Sequence, residues 1–245
     1  MTAASNLHTP ERFVSGAALA SAFAEQLGRQ IIAGRYKPGE RLVETRLAAA
    51  FGISRSPVRE GLRLLANDGL VLLVERRGAI VKPLDPHDIQ EAFECRTALQ
   101  GLAARLAAER WREPQLAPLR HALAEMEAAL ARGDVEAYYN ADIAYHETVC
   151  WLSQNARLQQ LLGALGREML RLRFLINSIP GRQHESIVYN RGILAAIEAR
   201  DAAAAERLTR ELTASGCQRL LETMRAGSAW AGPGDPASPP TRRGE

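Results

Sequence analysis

The sequence predicts a mainly α-helical protein: three short helices and a two-stranded hairpin, followed by an all-helical antiparallel bundle of about six helices. Three observations predict it. Alanine and leucine dominate while aromatic residues make up only 5% of the 245 positions, which suits helices and disfavours extensive sheet. Apolar residues recur at helical spacing over most of the chain. Strand-like runs are confined to positions 70–81.

Leu19, Phe23, Leu27 and Ile31 fall at four-residue steps and predict an amphipathic helix over 19–33. Gly34 ends it, and Tyr36-Lys37-Pro38-Gly39 forms a turn. A second helix spans about 44–51, with Leu47 and Ala48 inward and Gly52 as its break. Ser54 is placed to cap a third helix over 55–67, its side-chain oxygen accepting from a first-turn amide, with Pro57 early in that turn. Val58, Leu62 and Leu65 give this helix an apolar face, while Arg55, Arg59 and Arg63 recur every four residues. Strands over 70–74 and 79–81 flank Glu75-Arg76-Arg77-Gly78, a basic hairpin tip with a glycine where a positive φ is cheap. Three helices and such a hairpin make a winged helix-turn-helix.

Pro83 to Pro86 is a short connector. Beyond it, helices are predicted at about 87–110, 115–131, 135–151, 155–178, 183–199 and 202–224. The breaks fall at Pro114, Gly133-Asp134, Ser153-Gln154-Asn155, Ile179-Pro180-Gly181 and Asp201. Such short connections suit an antiparallel bundle. The expected divisions are a flexible N-terminus (1–18), a DNA-binding unit (19–83), a helical effector-binding and dimerisation unit (84–226) and a disordered tail (227–245). That tail holds four prolines and four glycines in 19 residues.

The net charge of +3 suggests no partner until it is divided. Residues 1–83 hold 12 basic and 7 acidic side chains, a net +5, whereas residues 84–226 hold 17 and 19, a net −2. No run of 18 apolar residues predicts a membrane span, and MTAASNLHTP does not read as a secretory signal. Cys95, Cys150 and Cys217, odd in number and without metal spacing, are expected as buried helical thiols in a cytoplasmic protein.

A helix entering a major groove needs donors on one face and an apolar hold on the other. Arg55 and Arg59 are expected at base edges, because arginine can pair with guanine O6 and N7. Ser54 or Ser56 is expected at the backbone, Arg63 on the same face, and Arg46 from the preceding helix on the same surface. Arg76 and Arg77 suit phosphate or minor-groove contact, and Gly78 permits close approach.

In the body, Asp142 and His146 are four residues apart and share a helix face, where they can hold a cation or orient a polar ligand. Arg96, if it points inward, needs a counter-charge from the protein or from an anionic effector.

The stretch PGERLVETRLAAAFGISRSPVREGLRLLANDGLV resembles the DNA-binding domain of the GntR family of bacterial transcriptional regulators. The resemblance implies operator contacts at Arg46, Arg55, Arg59 and Gly78, and a homodimer reading a short palindrome in double-stranded DNA. The body is similar to the all-helical effector domain of the FadR subgroup, through DIQEAFECRTALQGLAARLAA, DIAYHETVCWLSQNARL and GRQHESIVYNRGILAAIEARDAAAA. Many such members carry a metal on one aspartate and three histidines. Asp142 and His146 match the first two ligands, but Asn190 stands at the third and Leu212 near the fourth. His184, six residues before Asn190, lies on a different helix face. No cofactor is therefore expected, and a divalent metal is disfavoured. Arg96, Asp142, His146 and Asn190 are expected to hold a small organic acid instead.

The sequence thus predicts a transcriptional regulator, a repressor by type, whose operator affinity responds to a carboxylate-bearing metabolite. The alternative is a constitutive DNA-binding protein whose helical domain serves only dimerisation. An enzyme is not expected: there is no nucleophile with a partner, no phosphate loop and no open three-ligand metal set.

Overall fold

The structure, a computed structural model, describes residues 16–75 and 78–226, with the side chains of 166–168 left out. Arg76, Arg77, most of the expected flexible N-terminus and the expected disordered tail lie outside the described residues.

The chain runs α1 (Gly16–Ile32), β1 (Arg41–Leu42), α2 (Glu44–Phe51), α3 (Arg55–Asn67), β2 (Val71–Val74) and β3 (Gly78–Val81). Then come α4 (Pro86–Arg110), α5 (Ala117–Arg132), α6 (Val135–Leu152), α7 (Ala156–Ala164), α8 (Gly166–Asn177), α9 (Arg182–Glu198) and α10 (Ala202–Arg225). A winged helix-turn-helix therefore precedes a larger all-helical bundle. The hairpin pairs Val71 with Val81 and Val74 with Gly78, and Gly78 takes a positive φ of 83° at the turn.

Four local readings need correction. The sheet has a third strand, because β1 pairs antiparallel with β3 and gives the order β1-β3-β2. Its two residues are too few for period-2 alternation to reveal. The helix expected over 155–178 is two helices: at Leu165 the amide bonds back three residues, to Leu162 O, between two glycines of low helix propensity. Ser54 sits at the N-cap of α3 with extended backbone, but its side chain makes no capping bond. Leu19 is 36% exposed, and Ala20 takes the buried position instead.

Four other helices start at polar caps. Asp85, Asp134, Asn155 and Asp201 each accept from an amide in the first turn of α4, α6, α7 and α10.

Phe23, Leu27, Ile31, Leu47, Val58, Leu62, Leu65, Val71 and Val81 form the core of the N-terminal unit. Tyr139 of α6 and Phe174 of α8 insert into that same core, with their rings edge-to-face at 5.2 Å. The bundle core gathers Ala104, Ala107, Leu119, Met126, Tyr138, Tyr145, Leu152, Ile193 and Ile197. A third cluster, around Ile89, Phe93, Leu172, Ile176 and Leu220, joins α4, α8 and α10.

Helices α1 and α3 pack closely because Gly61 has no side chain. A β-carbon there would lie 2.4 Å from Phe23 Cδ1 and 2.9 Å from the Ala20 carbonyl. Gly61→Ala should lower unfolding stability by about 1–3 kcal/mol, the usual cost of forced overpacking. A melting temperature equal to that of the unsubstituted protein would show that the two helices separate freely.

Candidate functional site

Two surfaces carry the candidate chemistry. The first is the exposed face of α2 and α3 beside the hairpin. Arg46, Ser54, Arg55, Ser56, Arg59, Arg63 and Gly78 are all exposed there. Arg63 pairs with Glu60 at 3.2 Å. Arg59 is held by Glu44, a residue that the sequence reading did not single out: Nε donates to Oε1 at 3.2 Å and Nη2 to Oε2 at 3.1 Å. Arg55 Nη2 reaches the same carboxylate at 3.5 Å. A cleft of about 410 Å³ runs between α3 and the hairpin, lined by Glu44, Arg59, Arg63, Glu75 and Gly78 among others.

The second surface is internal. Side chains from α4, α6, α8, α9 and α10 line a chamber of about 40 Å³, room for a few waters at about 10–15 Å³ each. It is lined by Arg96, Gln100, Asp142, His146, Arg173, Asn177, Arg182, Ser186, Leu212 and Thr213, with Phe93, Ile176 and Gly216. Arg96, Gln100, His146 and Arg173 also line an outer chamber of about 500 Å³. The outer wall adds Trp151, Cys150, Glu147 and Asp68, the last at the C-terminal end of α3.

Asp142 is the hub. Arg173 Nη2 donates to its Oδ2 at 2.5 Å and to its backbone carbonyl at 2.9 Å. Asn177 Nδ2 donates to Oδ2 at 3.2 Å, and His146 Nε2 lies 3.5 Å from Oδ1. Burial opposes ionisation of Asp142, but the Arg173 charge and the bonds from His146 and Arg173 outweigh it and hold the carboxyl well below the usual range. His146 goes the other way: burial lowers its pKa against the pull of Asp142, with Arg173 and Arg96 adding to the fall.

Arg96 is buried and points inward. Its Nε donates to Gln100 Oε1 at 3.2 Å, and Thr213 Oγ1 donates to the same oxygen at 3.1 Å. Burial, then the neighbouring Arg173, push its pKa down to about 9, with Asp142 only partly opposing. Among the described residues it forms no ion pair within 4 Å. Arg182 donates to Leu212 O at 2.8 Å and Ser215 Oγ at 2.9 Å, and its Nη1 lies 3.1 Å from Glu185. Three guanidiniums thus face one buried carboxylate and one at the margin.

The structure brings Arg96, Asp142 and His146 together as expected. Asn190 is fully buried but does not line the chamber; it stands behind Ser186, to which its Nδ2 donates at 3.2 Å, and its Oδ1 has no partner. The sequence reading missed Arg173, Arg182, Gln100, Asn177, Ser186 and Thr213. One signal was available for Arg173: it falls between Leu172 and Phe174 in a helix whose neighbours are mostly apolar.

The donor set does not fit the metal that the family resemblance implies. Asp142 is committed to Arg173 and Asn177, Asn190 lies out of line, and Leu212 offers the chamber only a hydrocarbon side chain. Among the described residues, the only group of three His, Cys, Asp or Glu side chains with ligand atoms within 4.8 Å of one another is His87, Asp88 and Glu91, exposed at the start of α4. It could hold an ion, but none of its three residues lines the chamber. Of the three free cysteines only Cys217 is buried, since Cys95 is exposed and Cys150 half-buried, which corrects the expectation for those two. Among the described residues no helix is long and apolar enough to cross a membrane.

Comparison with known proteins agrees with this geometry. The family "Bacterial regulatory proteins, gntR family" matches residues 19–81, and "FCD domain" matches residues 91–215. The uncharacterized HTH-type transcriptional regulator YdhC of Bacillus subtilis is 39% identical over 57% of this chain, an alignment spanning 63% of YdhC's own length. The galactonate operon transcriptional repressor of Escherichia coli is 32% identical over 80% of this chain and 94% of its own. The solved structure of E. coli McbR/YncC superimposes with a TM-score of 0.71 at 25% identity, covering 84% of this chain and 98% of that one.

Two outcomes follow from the geometry. Asp142→Asn should cost about 3–5 kcal/mol of unfolding stability, because it leaves buried guanidinium charge uncompensated; a loss under 1 kcal/mol would place Arg173 in solvent. Protein purified without chelator should contain well under one divalent ion per chain by elemental analysis, and EDTA should leave its melting temperature unchanged. One tightly held ion per chain would contradict the assignment of Arg173 to Asp142.

Proposed function

The chain belongs to the gntR family of bacterial regulatory proteins and carries an FCD domain, and on that premise we propose that a small organic acid, held in the buried chamber, controls its binding to operator DNA. It is a DNA-binding regulatory protein and not an enzyme. The observation that carries the effector reading is Arg96: a buried guanidinium with a neutral glutamine as its hydrogen-bond partner. A carboxylate entering the chamber supplies the missing counter-charge. A body that serves only dimerisation gains nothing from that surplus charge.

The chamber is small enough to take one anionic group and little else, so the remainder of the acid extends into the outer chamber past Trp151 and Cys150. No metal mediates this contact; Arg96 and Arg173 bind the carboxylate directly, while His146 stands by as a neutral imidazole. Asn190 supports Ser186 and does not itself touch the ligand. The relative named for a galactonate operon makes a sugar acid the first compound to try.

Helix α8 couples the two surfaces. Arg173 and Asn177 face the chamber, whereas Phe174 and Leu170 pack against the core of the N-terminal unit, and Arg171 donates to the Lys82 carbonyl at 2.7 Å. An acid that draws Arg173 from Asp142 changes what holds α8, and with it the seat of the winged unit, residues 19–83. Two such units in a cytoplasmic homodimer read a short palindrome as a repressor, with Arg55 and Arg59 at bases and Ser54, Ser56, Arg46, Arg63 and Gly78 around them.

A panel of organic acids including galactonate should raise the melting temperature, since ligand at a hundredfold excess over Kd adds about 2.7 kcal/mol. Arg96→Met should abolish that shift without destabilising the ligand-free protein. A response to no acid at all would favour the dimerisation-only body. On DNA, Arg59→Ala should weaken binding to a duplex selected from a randomised pool far more than binding to random duplex, a bidentate base contact giving about 1–3 kcal/mol of discrimination. Equal losses on both would reduce Arg59 to a phosphate contact.

A further inference from the structure

A carboxylate at the centre of a surface meant for a polyanion calls for a reason. Glu44 begins α2 and is about three-quarters buried, its side chain 27% exposed, whereas the side chains of Arg55 and Arg59 are 61% and 56% exposed. Direct repulsion from phosphate makes such a residue unfavourable for affinity. Its geometry points to something else.

Guanidinium has five N–H donors, four of them in two forks, one on its Nε side and one at its end. Glu44 takes the side fork of Arg59, through Nε at 3.2 Å and Nη2 at 3.1 Å. The end fork, with Nη1 and the second hydrogen of Nη2, stays open. That fork matches the O6 and N7 acceptors of a guanine. The arm that carries it is no longer free, because a bidentate carboxylate fixes the plane of the guanidinium. Arg55, at 3.5 Å from the same carboxylate, is tethered more loosely.

We infer that Glu44 is a specificity-determining residue: it holds Arg59 side-on, so that the arginine presents its end fork to a base edge and does not swing onto phosphate. The inference rests on the reading of Arg59 as a base contact. Glu44 itself touches no DNA. A phosphate lying to the side of the fixed guanidinium plane can capture Arg59 only by displacing a carboxylate, while a guanine in line with the end fork accepts from donors that Glu44 leaves unused. Random sequence is penalised and the right sequence is not. The hydrogen bond from Arg59 holds the pKa of the Glu44 carboxyl below its usual value, which favours the charged form that grips the guanidinium.

The test uses the full chain, the selected duplex, versions of it with single guanines replaced, and random duplex, titrated by fluorescence anisotropy over a range of KCl. Glu44→Gln should raise affinity for random duplex about two- to fivefold, the scale of one exposed ion pair. It should also steepen the dependence of log K on log salt by about one per chain, as a freed guanidinium finds a phosphate. The penalty for replacing the guanine that Arg59 reads should shrink. In an Arg59→Ala background Glu44→Gln should change little, because the pair acts as a unit.

Parallel losses on selected and random duplex would mark Glu44 as merely structural and overturn the inference. Equal gains with and without Arg59 would do so too, showing only a lost negative charge. If Arg59→Ala itself weakens both duplexes equally, the reading of Arg59 fails and the role of Glu44 with it. If Arg59→Ala is selective and Glu44→Gln is additive with it, only the role of Glu44 fails.

Discussion

The contact between Arg173 and Asp142 ties the buried chamber to the helix that carries the winged unit. Two ions brought out of water each lose several kcal/mol of solvation, and their attraction offsets this only when the geometry is good and the remaining lone pairs are satisfied. Here both conditions hold. Arg173 also donates to the Asp142 carbonyl, and Asn177, one turn further along α8, donates to the same carboxylate. The pair therefore fixes the rotation of α8 against α6 as well as their distance. A looser arrangement would leave charges unmatched in the middle of the protein.

That rotation decides what the opposite side of α8 does. With Arg173 and Asn177 turned to the chamber, Leu170 and Phe174 meet the winged unit, and Tyr139 of α6 joins them, its hydroxyl donating to Leu170 O at 2.9 Å. The core of the N-terminal unit thus contains side chains from the helices that hold the chamber. The outer chamber adds a second link, since Asp68 at the end of α3 lies in its wall. Interfaces of this kind are packed and tend to have discrete arrangements, so a small displacement at the ion pair is not absorbed smoothly.

Much of this was legible in the sequence, and the parts that were not have a common cause. Amphipathic periodicity placed the three helices of the winged unit, and polar caps at Asp134, Asn155 and Asp201 marked the breaks in the bundle, because those signals are local. Arg96, Asp142 and His146 were found through spacing and resemblance. Arg173 and Arg182 were not, because an arginine in a helix is read as a solvated residue until its neighbours across the bundle are known. Glu44 escaped for the same reason: its partners lie 11 and 15 residues away, on another helix. The two-residue strand β1 arises from its pairing with β3, with too few residues to leave a period, and the break at Leu165 rests on two glycines within an otherwise continuous helical pattern. Asn190 shows the opposite limit. The resemblance sets it at a ligand position, yet its side chain turns to Ser186 and Met126, which follows from the packing of α9 and not from its place in the sequence.

The electrostatics of the chamber argue against a divalent ion more strongly than the loss of ligands does. A metal site of the kind the resemblance implies offers an anionic carboxylate and neutral imidazoles, so the cation is the main positive charge present. In this protein Arg96, Arg173 and Arg182 already line that space, and each is buried. The repulsion between Arg96 and Arg173 is strong enough to contribute to lowering the pKa of Arg96. A doubly charged ion would add to that repulsion in a medium that screens poorly, and it would compete with Arg173 for the buried carboxylate that balances the chamber. An anion does the reverse, since it relieves the repulsion and leaves Asp142 where it is or replaces it at Arg173. Asn190 and Leu212, at the positions where the resemblance implies histidines, therefore belong with the guanidiniums on the neighbouring helices: a chamber that supplies its own cations has no use for metal ligands, and its electrostatics support the anionic occupant proposed above.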